Sequence, residues 1–424
     1  MTERSILILG GTGDLARRLL LPGIGEYAEL FSTVPRVVGA DVVRDADYPA
    51  IITQSLREAG VGGEHASRLP SKSSYVQVDA TSPADLSRLL AGESDPILYF
   101  ALPPAITSQA LQALQQVDLP DGLILAVEKP IGHDAASARE VNNLLAELVP
   151  EERIFRVDHF LGMSATVNIG TLRSDNRLID PLWNNEHLAE LRIVFNETLG
   201  VEGRAAFYDR TGAARDMIQS HLLQVMARSL ADEETGHDEI LAATTVKQVW
   251  RARYTAGTVG SRSFPSYINE EGVDPESTTE TWVRMIMAVD TDRWRGVPIV
   301  LETGKAIGNP RQEITAIYKT TKGTAPNTLR LAFETDDLLL ELNVADASES
   351  SRARVSLASN LVPSKLGAYG RVIAAILNNQ PHMKLSAAAA EQGWRILDPV
   401  LTNYEEVPMA EYPAGTTPGT KPLI

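Results

Sequence analysis

The chain contains no cysteine. Disulfides, thiolate metal sites and a cysteine nucleophile are therefore excluded, and no other metal site is read from the sequence. Basic residues are the next shortage: 39 Lys plus Arg stand against 55 Asp plus Glu, a formal net charge of -16. A surface of that sign repels polyanions, so neither nucleic acid nor an anionic membrane is expected as a partner, and an anionic substrate needs a local basic pocket. No apolar run approaches the ~18 residues that a membrane span requires. Met1-Thr2-Glu3-Arg4-Ser5 enters a strand-like run directly, without the charged and apolar pattern of a leader. The cytoplasm is the expected compartment. What is present is the composition of a globular protein, 44% hydrophobic and 22% charged over 424 residues, long enough for about two to three domains.

The first third alternates strand and helix patterns. Ser5 to Leu9 is a short continuous apolar run, as in a buried parallel strand. Gly10-Gly11-Thr12-Gly13-Asp14-Leu15 follows and opens a helical pattern that Pro22 is expected to bend. Strand, glycine turn and helix together suit a dinucleotide: glycine lets the backbone approach a pyrophosphate, and the helix start offers free N–H groups. Gly10, Thr12, Gly13, Asp14 and Leu15 are the cofactor-binding candidates there. Arg36 to Asp41 reads as the second strand, ending in an acid near the ~20-residue spacing of ribose-binding carboxylates. Asp41 would accept from the ribose hydroxyls of NAD and repel the extra phosphate of NADP. Alternatively Asp41 only ends a strand, and Arg44 reaches a phosphate.

Further strands are expected at 75–78, 96–102 and 123–127, with helices between them, which implies a parallel sheet covered on both faces. Two turns follow strands directly, at Leu102-Pro103-Pro104 and at Glu128-Lys129-Pro130-Ile131-Gly132. Ligands bind at such strand ends, so Leu102, Pro103, Glu128 and Lys129 are site candidates, although Lys129 beside Glu128 is also what a solvated ion pair looks like. Arg156-Val157-Asp158-His159-Phe160-Leu161-Gly162-Met163 then closes the apolar run begun at Ile154. Asp158 and His159 stand where a strand stops, either as an ordinary polar strand end or as a site.

Past Met163 the pattern changes to long strand-like runs at 188–197, 279–290, 313–319, 327–334 and 337–344, several joined by Asp-, Gly- or Asn-containing turns. The expected fold is an α/β Rossmann-like N-terminal domain over 1–157 and an α+β domain over 158–424 with a large, mostly antiparallel sheet. Between the first two of those runs lies Arg215-Asp216-Met217-Ile218-Gln219-Ser220-His221-Leu222-Leu223-Gln224. Its apolar residues predict a buried helix, in which Asp216 and His221 need partners. Five positions along an α-helix turn about 140°, so the two would diverge unless Asp216 sits at the helix start. A histidine there is commonly structural. Facing Asp158 across the domain boundary, His221 would instead have the orientation of a general base.

Taken in order, these motifs resemble the glucose-6-phosphate dehydrogenase family almost end to end. The glycine turn, Tyr99 to Pro104, Glu128 to Gly132, Arg156 to Gly162, Asn176-Arg177, Pro181 to Asn184, Phe195 to Arg204, Arg215 to Gln224 and Trp294 to Lys305 all take part. The resemblance implies oxidation of C1 of a glucopyranose by a nicotinamide cofactor, giving a 1,5-lactone. It implies His221 as the base, Asp158 as its orienting partner, Lys129 where nicotinamide and sugar meet, Glu197 and Asp216 on sugar hydroxyls, Lys305 on the substrate's other side and His159 at the C6 group. It also implies a homodimer.

Three departures from the family pattern matter. The family motif reads D-H-Y-L-G-K, and its tyrosine and lysine contact the substrate phosphate; here those positions are Phe160 and Met163. Neither can donate a hydrogen bond or supply a cation, which leaves Arg311 as a candidate replacement. The arginine that reads the NADP phosphate aligns with Val42, just after Asp41, so NAD is the expected cofactor and NADP the alternative. The expected substrate is glucose 6-phosphate or a glucose with another C6 group. An unphosphorylated or modified sugar of specialised metabolism, and a catalytically silent nucleotide-binding homologue, are the two competing expectations.

Overall fold

The computed structural model describes residues 4–321, 323–346, 351–380 and 383–419. The chain divides into two compact units, Met1–Gly162 with Ser364–Glu391, and Met163–Pro363 with Gln392–Ile424. The division expected after residue 157 thus falls five residues early, and it omits the return of 364–391 to the first unit. No local pattern announces that return, because the segment carries one amphipathic helix that would suit either unit.

The first unit is built on β1 (Ser5–Leu9), β2 (Arg36–Asp41), β3 (Ser73–Gln77), β4 (Ile97–Phe100), β5 (Ile124–Glu128) and β6 (Ile154–Val157), all parallel. Except in the edge strand β3, their apolar side chains are buried on both faces, as in β1, where every residue is buried, and that is what a helix-covered parallel sheet requires. The spatial order is β6-β5-β4-β1-β2-β3. The direction in which successive strands are added therefore reverses between β1 and β4, and the crevice beyond their carboxyl ends is where such sheets bind ligands. The helix that follows β1 winds as π over Ala16–Leu20 and continues as the α-helix Leu21–Phe31, with Pro22, the residue expected to bend it, just past the change of winding.

The second unit holds β7 (Leu188–Asn196), β8 (Thr244–Thr255), the hairpin β9 (Gly257–Val259) and β10 (Arg262–Phe264), β11 (Trp282–Val289), β12 (Ile299–Gly304), β13 (Gln312–Tyr318), β14 (Thr328–Ala332), β15 (Asp337–Ala345) and β16 (Arg352–Asn360). After the short β17 (Lys384–Leu385), which pairs antiparallel with β6 in the first unit, β18 (Met409–Pro413) completes the second. Nine strands form one sheet in the order β16-β15-β14-β13-β7-β12-β11-β8-β18. It is antiparallel except for the β7/β12 and β8/β18 pairs, so the expected large, mostly antiparallel sheet is present. Four of its strands were not expected: β8, β12, β16 and β18. The longest, β8, hides its alternation because Arg251 points inward, 5% exposed, and a bulge opposite Ile286 and Met287 shifts the register. Among the described residues no helix is long and apolar enough to cross a membrane.

Candidate active site residues in the two units

At the end of β1 the chain turns through Gly10, at φ +78°, where a Cβ would stand 2.3 Å from the Ala101 carbonyl oxygen and 3.3 Å from the Leu102 side chain. Only glycine allows the turn to lie this close to the end of β4. Thr12 and Gly13 are half-buried, Leu15 likewise, and Asp14 is exposed in an ion pair with Arg18 at 3.3 Å. Pro103 is exposed at the start of the next helix.

Asp41 ends β2 against this turn. One carboxylate oxygen accepts from the Thr12 N–H at 3.2 Å and the Thr12 hydroxyl at 2.6 Å, and the other accepts from the Val42 N–H at 2.8 Å. Three of the roughly four lone-pair positions of an ionised carboxylate are thereby used. Asp41 holds the glycine turn and keeps capacity for one further donor. Val42 is 62% exposed beside it, and Arg44 is exposed on the same loop.

The second cluster of this unit lies at the ends of β5 and β6. Lys129 pairs with Asp158 at 2.9 Å, with side chains 9% and 0% exposed. Asp158 also accepts from the Phe160 N–H at 3.0 Å. Burial of an ion pair is favourable only with good geometry and further hydrogen bonds, and here the Phe160 N–H adds a second contact to the oxygen that meets the ammonium. Behind the lysine, Glu128 accepts the Tyr99 hydroxyl at 2.5 Å, and the Tyr369 hydroxyl also faces its carboxyl. Burial pushes the Glu128 carboxyl up to about 7 against the pull of Tyr99, Lys129 and Tyr369, with the charge of Asp158 adding to the rise. The Tyr369 ring stacks on His159 with centroids 5.1 Å apart and planes 19° apart. Phe160, 3% exposed, meets His159 edge-on.

In the second unit the parallel neighbours β7 and β12 end together, and each is followed by a charged residue. Lys305 reaches Glu197 at 2.7 Å, with side chains 14% and 25% exposed. The ammonium stands 5.3 Å over the Tyr208 ring, a cation–π contact. Burial, followed by the charges of Asp216 and Glu280, pushes the Tyr208 hydroxyl well above its ordinary value.

Asp216 and His221 lie on the π-helix Ala214–Leu222. The α-helical expectation of diverging side chains is corrected here. In π winding the bonds run from i to i+5, so residues five apart return to nearly the same face. The burial pattern agrees: Arg215, Asp216 and His221 are half-buried and every other residue of the helix is buried. Glu280 fixes the helix start by accepting the Ala214 N–H at 2.8 Å, its carboxyl raised by burial. Arg311 ends with its guanidinium on Glu313, while its carbonyl accepts from the Asn196 N–H at 2.8 Å, one residue before Glu197.

The first unit thus gathers Thr12 with Asp41, Lys129 with Asp158, and Glu128 with His159 through Tyr369, and leaves Asp14, Arg44 and Pro103 outward. The second gathers Glu197 with Lys305, and Asp216 with His221 on one helix face. Tyr99, Tyr208, Tyr369 and Glu280 were not read as site residues. Tyr99 lies in the Tyr99 to Pro104 motif, where an aromatic hydroxyl next to a strand end marks it in the sequence. Tyr369 has no such mark, because its partners lie far away in sequence.

The chain matches the family model described as "Glucose-6-phosphate dehydrogenase, NAD binding domain" over residues 7–168, and the one described as "Glucose-6-phosphate dehydrogenase, C-terminal domain" over 170–422. It is 31% identical over 459 residues to glucose-6-phosphate 1-dehydrogenase of Rhizobium meliloti, covering 97% of this chain and 93% of the relative. The enzyme of the same name from Mycolicibacterium smegmatis is 31% identical over 462 residues, with 97% and 93% covered. The crystal structure of glucose-6-phosphate 1-dehydrogenase from Mycobacterium avium superposes with a TM-score of 0.85 at 28% identity, covering 98% of this chain and 94% of that one.

Proposed function

Because the chain belongs to the glucose-6-phosphate dehydrogenase family, we propose that it oxidises C1 of a glucopyranose with a nicotinamide dinucleotide, giving a 1,5-lactone. The observation that carries this reading is the enclosed Lys129–Asp158 pair at the carboxyl ends of two parallel strands, a place where charge is costly unless it has work to do. The glycine turn suits a pyrophosphate, since Gly10 permits its path and Thr12 and Gly13 remain accessible. The nicotinamide, when bound, supplies the two-electron acceptor. Lys129 places positive charge where cofactor and sugar meet. His221 removes the proton from the O1 hydroxyl, and Asp158 orients its imidazole and stabilises the protonated form. Glu197 and Asp216 accept hydrogen bonds from sugar hydroxyls, Lys305 donates from the other side, and His159 meets the C6 group.

NAD is the proposed cofactor. Asp41 retains room for one ribose hydroxyl, and the exposed Val42 offers no charge to a phosphate. At C6, the names of the relatives support glucose 6-phosphate, whereas Phe160 and Met163 supply neither donor nor cation. Hydrogen bonds to charged groups contribute about 1.5–3 kcal/mol each. Losing two of them should compress the preference for the phosphorylated sugar by roughly 100-fold or more, with Arg311 recovering part of it. Steady-state rates with glucose 6-phosphate, glucose and C6-substituted glucose, each with NAD and NADP, test the reading. NAD-dependent turnover with a compressed phosphate preference supports it. High efficiency on glucose 6-phosphate with NADP overturns the reading of Asp41, Phe160 and Met163, and NAD binding without turnover of any sugar favours a silent homologue. A cytoplasmic homodimer is part of the same proposal, and light scattering at twice the mass of one chain is the expected result.

A further inference from the structure

Tyr369 enters the first unit on the helix Ala368–Leu377. Its seat is the turn after Asp158. A Cβ on Gly162 would stand 2.7 Å from the Ala368 carbonyl oxygen, and Arg371 of the same helix donates to the Gly162 carbonyl. From there the side chain makes two contacts of different kinds. The ring lies flat on His159, and the hydroxyl faces the Glu128 carboxyl, which accepts the Tyr99 hydroxyl at 2.5 Å. Tyr369 is only 8% exposed, so neither contact is an accident of a surface side chain.

We propose that Tyr369 is a positioning residue with two separable tasks: its ring fixes the imidazole of His159, and its hydroxyl fixes the Glu128 carboxyl beside Lys129. The inference rests on the reading above, in which His159 meets the C6 group and Lys129 the reacting end of the sugar. An imidazole held by stacking has fewer orientations to lose when a ligand binds. The carboxyl matters through Lys129. Glu128 is faced by Tyr99 from β4, by Lys129 from its own strand end, by Asp158 from the end of β6 and by Tyr369 from the helix. With Glu128 ionised, the ammonium paired to Asp158 feels a second negative charge; with Glu128 protonated, only the charge of Asp158 acts on it. A donor from Tyr369 favours the ionised form.

Two substitutions separate the tasks. Tyr369→Phe keeps the ring and removes the hydroxyl, so KM for the sugar should stay within about 2-fold while the ionisation near neutrality in the kcat profile moves to higher pH. Tyr369→Leu removes both, and KM should rise about 3- to 10-fold together with the same pH displacement. A residue with a merely structural role would change both variants alike. The inference is overturned if Tyr369→Phe raises KM as much as Tyr369→Leu, or if its pH profile superposes on that of the wild type. A readout without substrate keeps the two readings apart: in protein with 13Cε1-labelled histidine, the His159 resonance, assigned through His159→Gln, should carry a ring-current shift in wild type and Tyr369→Phe and lose it in Tyr369→Leu. Should the wild type oxidise no sugar, the proposed function fails while the resonance still decides whether Tyr369 holds His159, and an unchanged resonance in Tyr369→Leu rejects that.

Discussion

Each unit presents a lysine against a carboxylate, at nearly the same distance and in different surroundings. Lys129 and Asp158 are 2.9 Å apart and 9% and 0% exposed; Lys305 and Glu197 are 2.7 Å apart and 14% and 25% exposed. The first pair is enclosed, with Glu128, Tyr99 and Tyr369 behind the lysine and the Phe160 N–H on the aspartate. The second is more open, backed by the face of Tyr208. Distance therefore does not tell the pairs apart. Enclosure does: a closed pair cannot trade its partner for a ligand without leaving a buried charge, so it suits orientation, whereas a pair with water at hand can exchange a carboxylate for a sugar hydroxyl and suits binding.

Breaking the closed pair should have the largest effect. Asp158→Asn should lower kcat by about 100- to 10,000-fold with little change in the sugar KM, and Lys129→Met should lower unfolding free energy in urea by about 3–5 kcal/mol, because Asp158 is left buried without its counter-ion. The open pair should respond in the other parameter. Lys305→Met should raise the sugar KM by roughly 10- to 100-fold, with a change of less than about 1 kcal/mol in stability. If the two lysine variants gave the same kcat, KM and stability pattern, the distinction would be lost.

Glu128 sharpens the comparison through pH. Its folded-state value, about 7, lies above the ordinary 4.5, so the folded protein holds this proton more tightly than the unfolded chain. Its stabilising contribution is complete below about pH 4.5 and lost as pH rises through about 7. Glu128→Gln cannot ionise, so its stability relative to wild type should improve between pH 5 and 8, by on the order of 1–3 kcal/mol in denaturant melts at the two ends of that range. The smallest effect belongs to Arg311, which already spends its guanidinium on Glu313. Arg311→Ala should raise KM for glucose 6-phosphate about 2- to 3-fold and leave KM for glucose unchanged.

The same contrast of enclosure explains what the sequence made legible. In the first unit strands buried on both faces read as plain apolar runs, and the glycine turn, Asp41, Lys129 and Asp158 all stand just past such runs. In the second, β8 carries a buried arginine and a bulge, and β16 lies at a sheet edge with mostly exposed residues, so neither shows a clean period. Asp216 and His221 were found by residue type, but their common face depends on π winding, which 3.6-residue periodicity cannot reveal. Tyr369 reaches Glu128 and His159 only because 364–391 folds back onto the first unit, a contact of long sequence separation with no local mark.

The most direct test is isotopic. With glucopyranose carrying deuterium at C1, as glucose 6-phosphate and as glucose, and NAD in excess, the proposed chemistry predicts NADH that contains the deuterium and an aldonolactone that does not, with formation abolished or reduced by several orders of magnitude in His221→Asn. NADH free of label, or equal rates of label transfer in wild type and His221→Asn, would contradict oxidation at C1 with His221 as the base.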